Sequence, residues 1–232
     1  VRTYAVDCKR GQPIILRCDI RRFSESTDKV DAAVYVAGKA NPIIIATSIA
    51  STGCRSLYFV HNSGGQFIGA NVIAMRGDGM TCRGRPTFQG CTVEAIGGHA
   101  VDVIGSGAPT FEECEISGRG AAVFRVEDRG YPRVRESRVN AIRQLAFDFE
   151  GDAAGKFEGN IVSVETDKNA GTGRKNGNLF FGLLKSKENA VVQAAAKAKE
   201  YVRVRGNSRP LFISNTTADG KVLKQPGSFA GF

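Results

Sequence analysis

The chain has 232 residues, 42% of them apolar and 24% charged, which suffices to bury one substantial core and requires no second domain. No apolar run approaches the roughly 20 residues of a membrane-spanning helix, residues 1–20 lack the basic-then-apolar layout of a secretory signal, and six cysteines without CxxC or paired Cys/His spacing define neither a disulfide framework nor a zinc site. The formal charge of +9 is localised: residues 168–232 hold twelve Lys or Arg against three acids, so residues 1–167 sum to zero.

In chain order, one pattern recurs, Pro-x-apolar-x-x-small-x-aliphatic. It reads PIILRCDI from Pro13, PIIIATSI from Pro42, PTFQGCTV from Pro86, PTFEECEI from Pro109 and PRVRESRV from Pro132. Glycine takes the proline slot in GQFIGANV from Gly65 and GKFEGNIV from Gly155. The intervals are 29, 23, 21, 23, 23 and 23 residues. A second apolar pair follows each start: Leu57/Phe59, Met80/Cys82, Val101/Val103, Phe124/Val126 and Phe147/Phe149. In the first repeat it is Val34/Val36, which places six extra residues in the loop RFSESTDKVDA. Each repeat therefore predicts three short strands with alternating side chains, separated by turns. A unit this small cannot bury its own apolar face and is stable only when stacked on its neighbours. The expected fold is all-β, a right-handed parallel β-helix of about seven 23-residue, three-strand coils over residues 13–177, within a domain spanning 1–182.

In such a solenoid, equivalent residues stack about 4.8 Å apart. Ile15, Ile44, Phe67, Phe88, Phe111, Val134 and Phe157 form one inner ladder. Cys18, Thr47, Ala70, Cys91, Cys114, Ser137 and Asn160 form a second, of small residues. Cysteines in adjacent parallel rungs have poor geometry for a disulfide, so free, buried thiols are expected, and reduced cysteines favour an intracellular or organellar compartment over secretion.

After Val162 the period breaks. Residues 183–232 read as a second region with a capping helix, SKENAVVQAAAKAKEYV, N-capped by Ser186. A short strand YVRVR, an apolar patch PLFIS and a polar tail from Asn215 follow.

The repeat resembles the right-handed parallel β-helix repeat family, which includes pectate-lyase-like enzymes, copper-maturation proteins and repeat regions of F-box proteins. The resemblance covers residues 10–165 and implies a fold that hosts lyases, hydrolases, epimerases and non-catalytic modules. Enzymes of that kind place working residues on one strand of consecutive coils. The corresponding triplet here is Arg55, Asp78 and His99, beside an outward row of Tyr35, Tyr58, Thr81, Asp102, Arg125 and Asp148. GGHAVDVIGS is similar to the His motif of polygalacturonases, but their three-aspartate set is missing. Inverting glycoside hydrolysis needs two free carboxylates, and calcium-assisted lyases need a carboxylate cluster. Asp102, Arg125 and Asp148 read instead as a salt-bridge ladder on an exposed face, worth little per pair. His99 reads as a surface residue at a turn, and His61 as a turn residue.

No metal, cofactor or catalytic set is expected. The localised charge points to an acidic protein or a larger complex as partner, bound through Arg119, Arg125, Arg129, Arg133, Lys185, Lys187, Lys197, Lys199, Arg203 and Arg205. Carbohydrate is the second candidate, through Arg55, Asp78, His99 and Asp102. Nucleic acid ranks below both, because few aromatics interleave the lysines.

Overall fold

The computed structural model describes residues 4–24, 31–165 and 201–223. Three parallel sheets of eight strands each run along a solenoid, every strand pairing with its equivalent one coil away. Sheet A begins at Tyr4–Cys8 and ends at Val202–Val204, sheet B runs from Ile14–Leu16 to Arg209–Ile213, and sheet C from Asp19–Arg22 to Thr216–Thr217. The register is that of the sequence repeat: Phe67 pairs with Phe88, Phe88 with Phe111, and Phe111 with Val134. No helix occurs among the described residues. The helix expected from Ser186 lies outside them.

The coils carry a continuous core because the inward positions are apolar in every rung. Phe67, Phe88 and Phe111 are fully buried and stack with centroids 4.6 and 4.8 Å apart. Sheet-A phenylalanines meet this column edge-on, Phe59 against Phe67 at 5.6 Å and Phe124 against Phe111 at 5.7 Å. Such ring pairs add to the burial of the rings themselves.

Between sheets B and C the chain turns through a left-handed residue in every coil: Arg17, Ala46, Gly69, Gly90, Glu113, Glu136, Gly159 and Ser214 all have φ between 47° and 63°. The next residue is the small inner ladder, where polar members satisfy the turn. Ser137 Oγ accepts from Cys114 N at 3.0 Å, Asn160 Oδ1 from Ser137 N at 2.9 Å, and Asn215 Oδ1 from Asn160 N at 3.0 Å. These polar side chains belong inside because each substitutes for a backbone partner that the corner removes.

Two expectations are corrected here. The solenoid has an eighth rung, because Val202–Val204, Arg209–Ile213 and Thr216–Thr217 extend all three sheets. Asn215, expected to open a polar tail, is 1% exposed. Pro210, Phe212 and Asn215 in fact repeat the motif, with Asn215 lying 55 residues after its equivalent Asn160. All six cysteines are free as expected, but Cys18 is exposed, since among the described residues its rung lies at the edge of sheets B and C.

Candidate functional site

Sheet A differs from the other two. Strands of sheet B alternate exposed and buried, as in Gln66–Ile68 and Thr87–Gln89. In Ala32–Val36, Met80–Cys82, Val101–Val103 and Phe147–Phe149 every residue is buried. The expected outward row is present in register, Tyr35, Tyr58, Thr81, Asp102, Arg125 and Asp148, and Arg203 extends it. It is not, however, an exposed face: Thr81, Asp102 and Asp148 are 1, 2 and 4% exposed. Long arginine side chains lie over it. Arg125 grips both oxygens of Asp102 at 2.8 Å, and Arg203 grips both oxygens of Asp148. Arg55 stands over the Tyr58 ring at 4.8 Å.

The ladder is therefore made of buried carboxylates held by partly exposed arginines, and each carboxylate depends on its partner more than in a surface pair. The Asp102 carboxylate, hydrogen-bonded in fork geometry, holds the Arg125 guanidinium above its ordinary value.

The triplet Arg55, Asp78 and His99 does converge. Arg55 Nε donates to Thr81 Oγ1 at 2.6 Å, and Thr81 Oγ1 donates to Asp78 Oδ2 at 3.2 Å. Arg55 Nε is 3.8 Å from the same Asp78 oxygen. The other oxygen, Oδ1, accepts from the backbone N of His99 at 3.0 Å. Gly98 makes this reach possible: a Cβ there would lie 2.6 Å from Asp78 Oδ1. His99 is not a loose surface side chain, because its Nδ1 lies 2.9 Å from the Ala122 carbonyl. That contact assigns the proton to Nδ1 and leaves Nε2 as an acceptor. Arg55 Nη1 is buried without a hydrogen-bond partner.

Chemically the cluster is occupied. Both Asp78 oxygens and both Asp102 oxygens accept hydrogen bonds, so each carboxylate is held in a fixed orientation. Among the described residues no group of three His, Cys, Asp or Glu could hold a metal ion, and no helix is long and apolar enough to cross a membrane.

The basic residues expected to bind a partner divide into several sets. Arg125 bonds Asp102 and reaches Glu127 at 3.4 Å. Arg119 lies 3.9 Å from Glu94, and Arg133 sits 5.8 Å from the Tyr131 ring. Arg203 and Arg205 both engage Asp148, Arg205 also bonding Glu150 at 2.7 Å, so they fasten the eighth rung to the seventh. Arg129 is exposed. Lys185, Lys187, Lys197 and Lys199 lie outside the described residues.

Sequence reasoning missed one feature. At the corner between sheets A and B, a groove of about 470 Å³ is lined by Lys39, Asn41, His61, Ser63, Arg83, Arg85 and Ser106, among others. The signal was a basic residue recurring just after the sheet-A strand in consecutive coils.

The architecture and the repeated register define the class: a three-sheet parallel β-helix. A profile of the right-handed β-helix region matches residues 32–182, and the chain belongs to that family. Neither the curated proteins nor the solved structures gave a match.

Proposed function

We propose that this protein is a non-catalytic β-helix, a scaffold or interaction subunit that docks onto an acidic partner within a larger assembly. One observation carries the reading: every carboxylate of the sheet-A ladder is engaged, Asp102 by Arg125, Asp148 by Arg203 and Arg205, and Asp78 by Thr81 and the His99 amide. Contacts of this kind fix the carboxylates in place, which suits a rigid docking surface. The docking charge belongs to the segment after Glu165, where the excess of lysine and arginine is concentrated. Association with the partner should fall steeply with added salt. Replacing Lys185, Lys187, Lys197 and Lys199 together by Gln, which removes four of that segment's twelve cations, should weaken co-purification of that partner. Association unchanged by both treatments refutes docking through this segment.

A second reading is a carbohydrate-active or sugar-binding role at Arg55, Asp78 and His99. It is favoured by Arg55 Nη1, a buried donor without a partner, beside a His ring with a free acceptor nitrogen. Turnover of acidic or neutral oligosaccharides, or binding abolished by Asp78→Asn, would replace the scaffold reading with this one.

A further inference from the structure

The corner between sheets A and B is polarised. Its N-terminal coils present Lys39 after Val36, His61 after Phe59, and Arg83 and Arg85 after Cys82. Its C-terminal coils present Glu127, Asp128, Glu150 and Asp152 beside Arg129 and Arg205. The cationic half is where the surface becomes concave. The groove there spans four rungs, about 14 Å at the strand spacing, and none of its lining residues is a carboxylate.

Lys39, Arg83 and Arg85 make no ion pair among the described residues, whereas Arg125, Arg135, Arg203 and Arg205 all do. Three unneutralised cations held in one concavity repel one another and concentrate a positive field there. Their scaffold is rigid. Arg85 N donates to Ser63 O at 2.8 Å, Arg83 N to Phe59 O at 2.9 Å, and Gly64 N to Ala40 O at 3.0 Å. Between the two arginines, Gly84 packs so closely that a Cβ would lie 2.3 Å from Ser63 O, and this contact fixes the backbone from which both arginines project. Asn41, Asn62 and Ser106 add neutral hydrogen-bonding groups.

No Phe, Tyr or Trp lines the groove. A sugar face therefore finds no broad aromatic platform, and the cations make the charged group of a ligand the main point of recognition. Paired guanidiniums match the oxygens of a phosphate or sulfate ester, and the volume falls within the range of small-ligand sites.

We propose that this groove binds the phosphoryl or sulfuryl groups of an extended anionic ligand, with Arg83 and Arg85 as principal contacts and Lys39, His61 and Ser106 completing the site. It is separate from the sheet-A ladder and does not depend on the scaffold reading.

The test uses the full chain and three probes at low ionic strength: inorganic tripolyphosphate, a sulfated oligosaccharide, and polygalacturonate, whose charges are carboxylates. Calorimetry is expected to show binding of tripolyphosphate, the sulfated sugar or both, and which of them binds identifies the source of the oxyanion. The R83Q/R85Q variant should bind at least about tenfold more weakly, as loss of charge-assisted hydrogen bonds implies. Ser106→Glu, which adds a negative charge while removing no cation, should do the same with an unchanged melting temperature. Arg138→Gln, which removes one cation from sheet C, should leave affinity within twofold. The proposal is overturned if wild type binds neither tripolyphosphate nor the sulfated sugar, if polygalacturonate binds equally well, or if R83Q/R85Q and Ser106→Glu retain wild-type affinity.

Discussion

Asp102 is 2% exposed and its two oxygens rest on one guanidinium that is itself only a third exposed. Removing Arg125 strands a buried carboxylate, while removing both partners leaves a small, shielded site that water or a neighbour fills. Arg125→Ala should therefore destabilise the fold by roughly 2–3 kcal/mol, near the low end for a broken buried pair because the arginine is partly solvated. The Asp102→Ala/Arg125→Ala double variant should lose less than the sum of its singles. Urea unfolding of the four proteins checks this, and strict additivity would show that the pair is not coupled. The thiols give a second residue-scale test. Burial pushes Cys8, Cys54 and Cys82 upward, and Cys114 is raised first by its hydrogen-bonded neighbour Cys91 and then by burial, while Cys91, lowered by that same hydrogen bond, is shielded at 1% exposure. Thiolate is the reactive form, so a thiol reagent at neutral pH should label Cys18 rapidly and the other five only on unfolding. Rapid labelling of more than one thiol in the native protein would contradict the packing.

Among the elements, the corner between sheets B and C shows where the sequence is legible and where it is not. The Phe67–Phe88–Phe111 column could be read because a period of two within the strand is locked to a period of 21 or 23 between strands. The left-handed turn beside it could not, because only Gly69, Gly90 and Gly159 advertise it, while Arg17, Ala46, Glu113, Glu136 and Ser214 adopt the same φ without glycine. The eighth rung was hidden by its 55-residue offset and by Thr217, a polar residue in a slot that is aliphatic in every other coil. The triplet Arg55, Asp78 and His99 was found from register alone, but its exhaustion by hydrogen bonds depends on Thr81 and on a backbone amide, which carry no sequence signature. Forced left-handed geometry costs an L-residue about 1–2 kcal/mol, partly offset by the entropy that glycine loses on folding. Ala46→Gly should thus stabilise the protein by roughly 0.5–1 kcal/mol, whereas Phe111→Ala, in the centre of the column, should cost about 3–5 kcal/mol. Opposite signs from a turn substitution and a core substitution three coils apart would be read from thermal unfolding, and a destabilised Ala46→Gly would show that the turn is not strained.

At the level of the whole molecule, the solenoid is one cooperative stack, because each rung's apolar face is covered only by its neighbours. The titration of its buried groups therefore appears in global stability. The clearest such groups are the thiols, ordinary value 9.0, of which Cys82 is fully enclosed and raised well above it by desolvation. A raised thiol keeps its proton in the folded state at pH values where the unfolded chain has lost it. Below about pH 8 both states are protonated and the thiols contribute no pH dependence. Above about pH 9 unfolding releases protons, so stability must fall as pH rises, and it continues to fall until the folded thiols themselves ionise. The urea midpoint should be flat from about pH 6 to pH 8 and decline between about pH 9 and pH 10.5. Tyrosines titrate in the same window, so the diagnostic is the slope in Cys82→Ala. That variant is less stable at neutral pH, from the volume removed, but its midpoint should fall less steeply with alkali than that of the wild type. Equal slopes would mean that Cys82 is reached by solvent, and the continuous core through the middle coils would have to be redrawn.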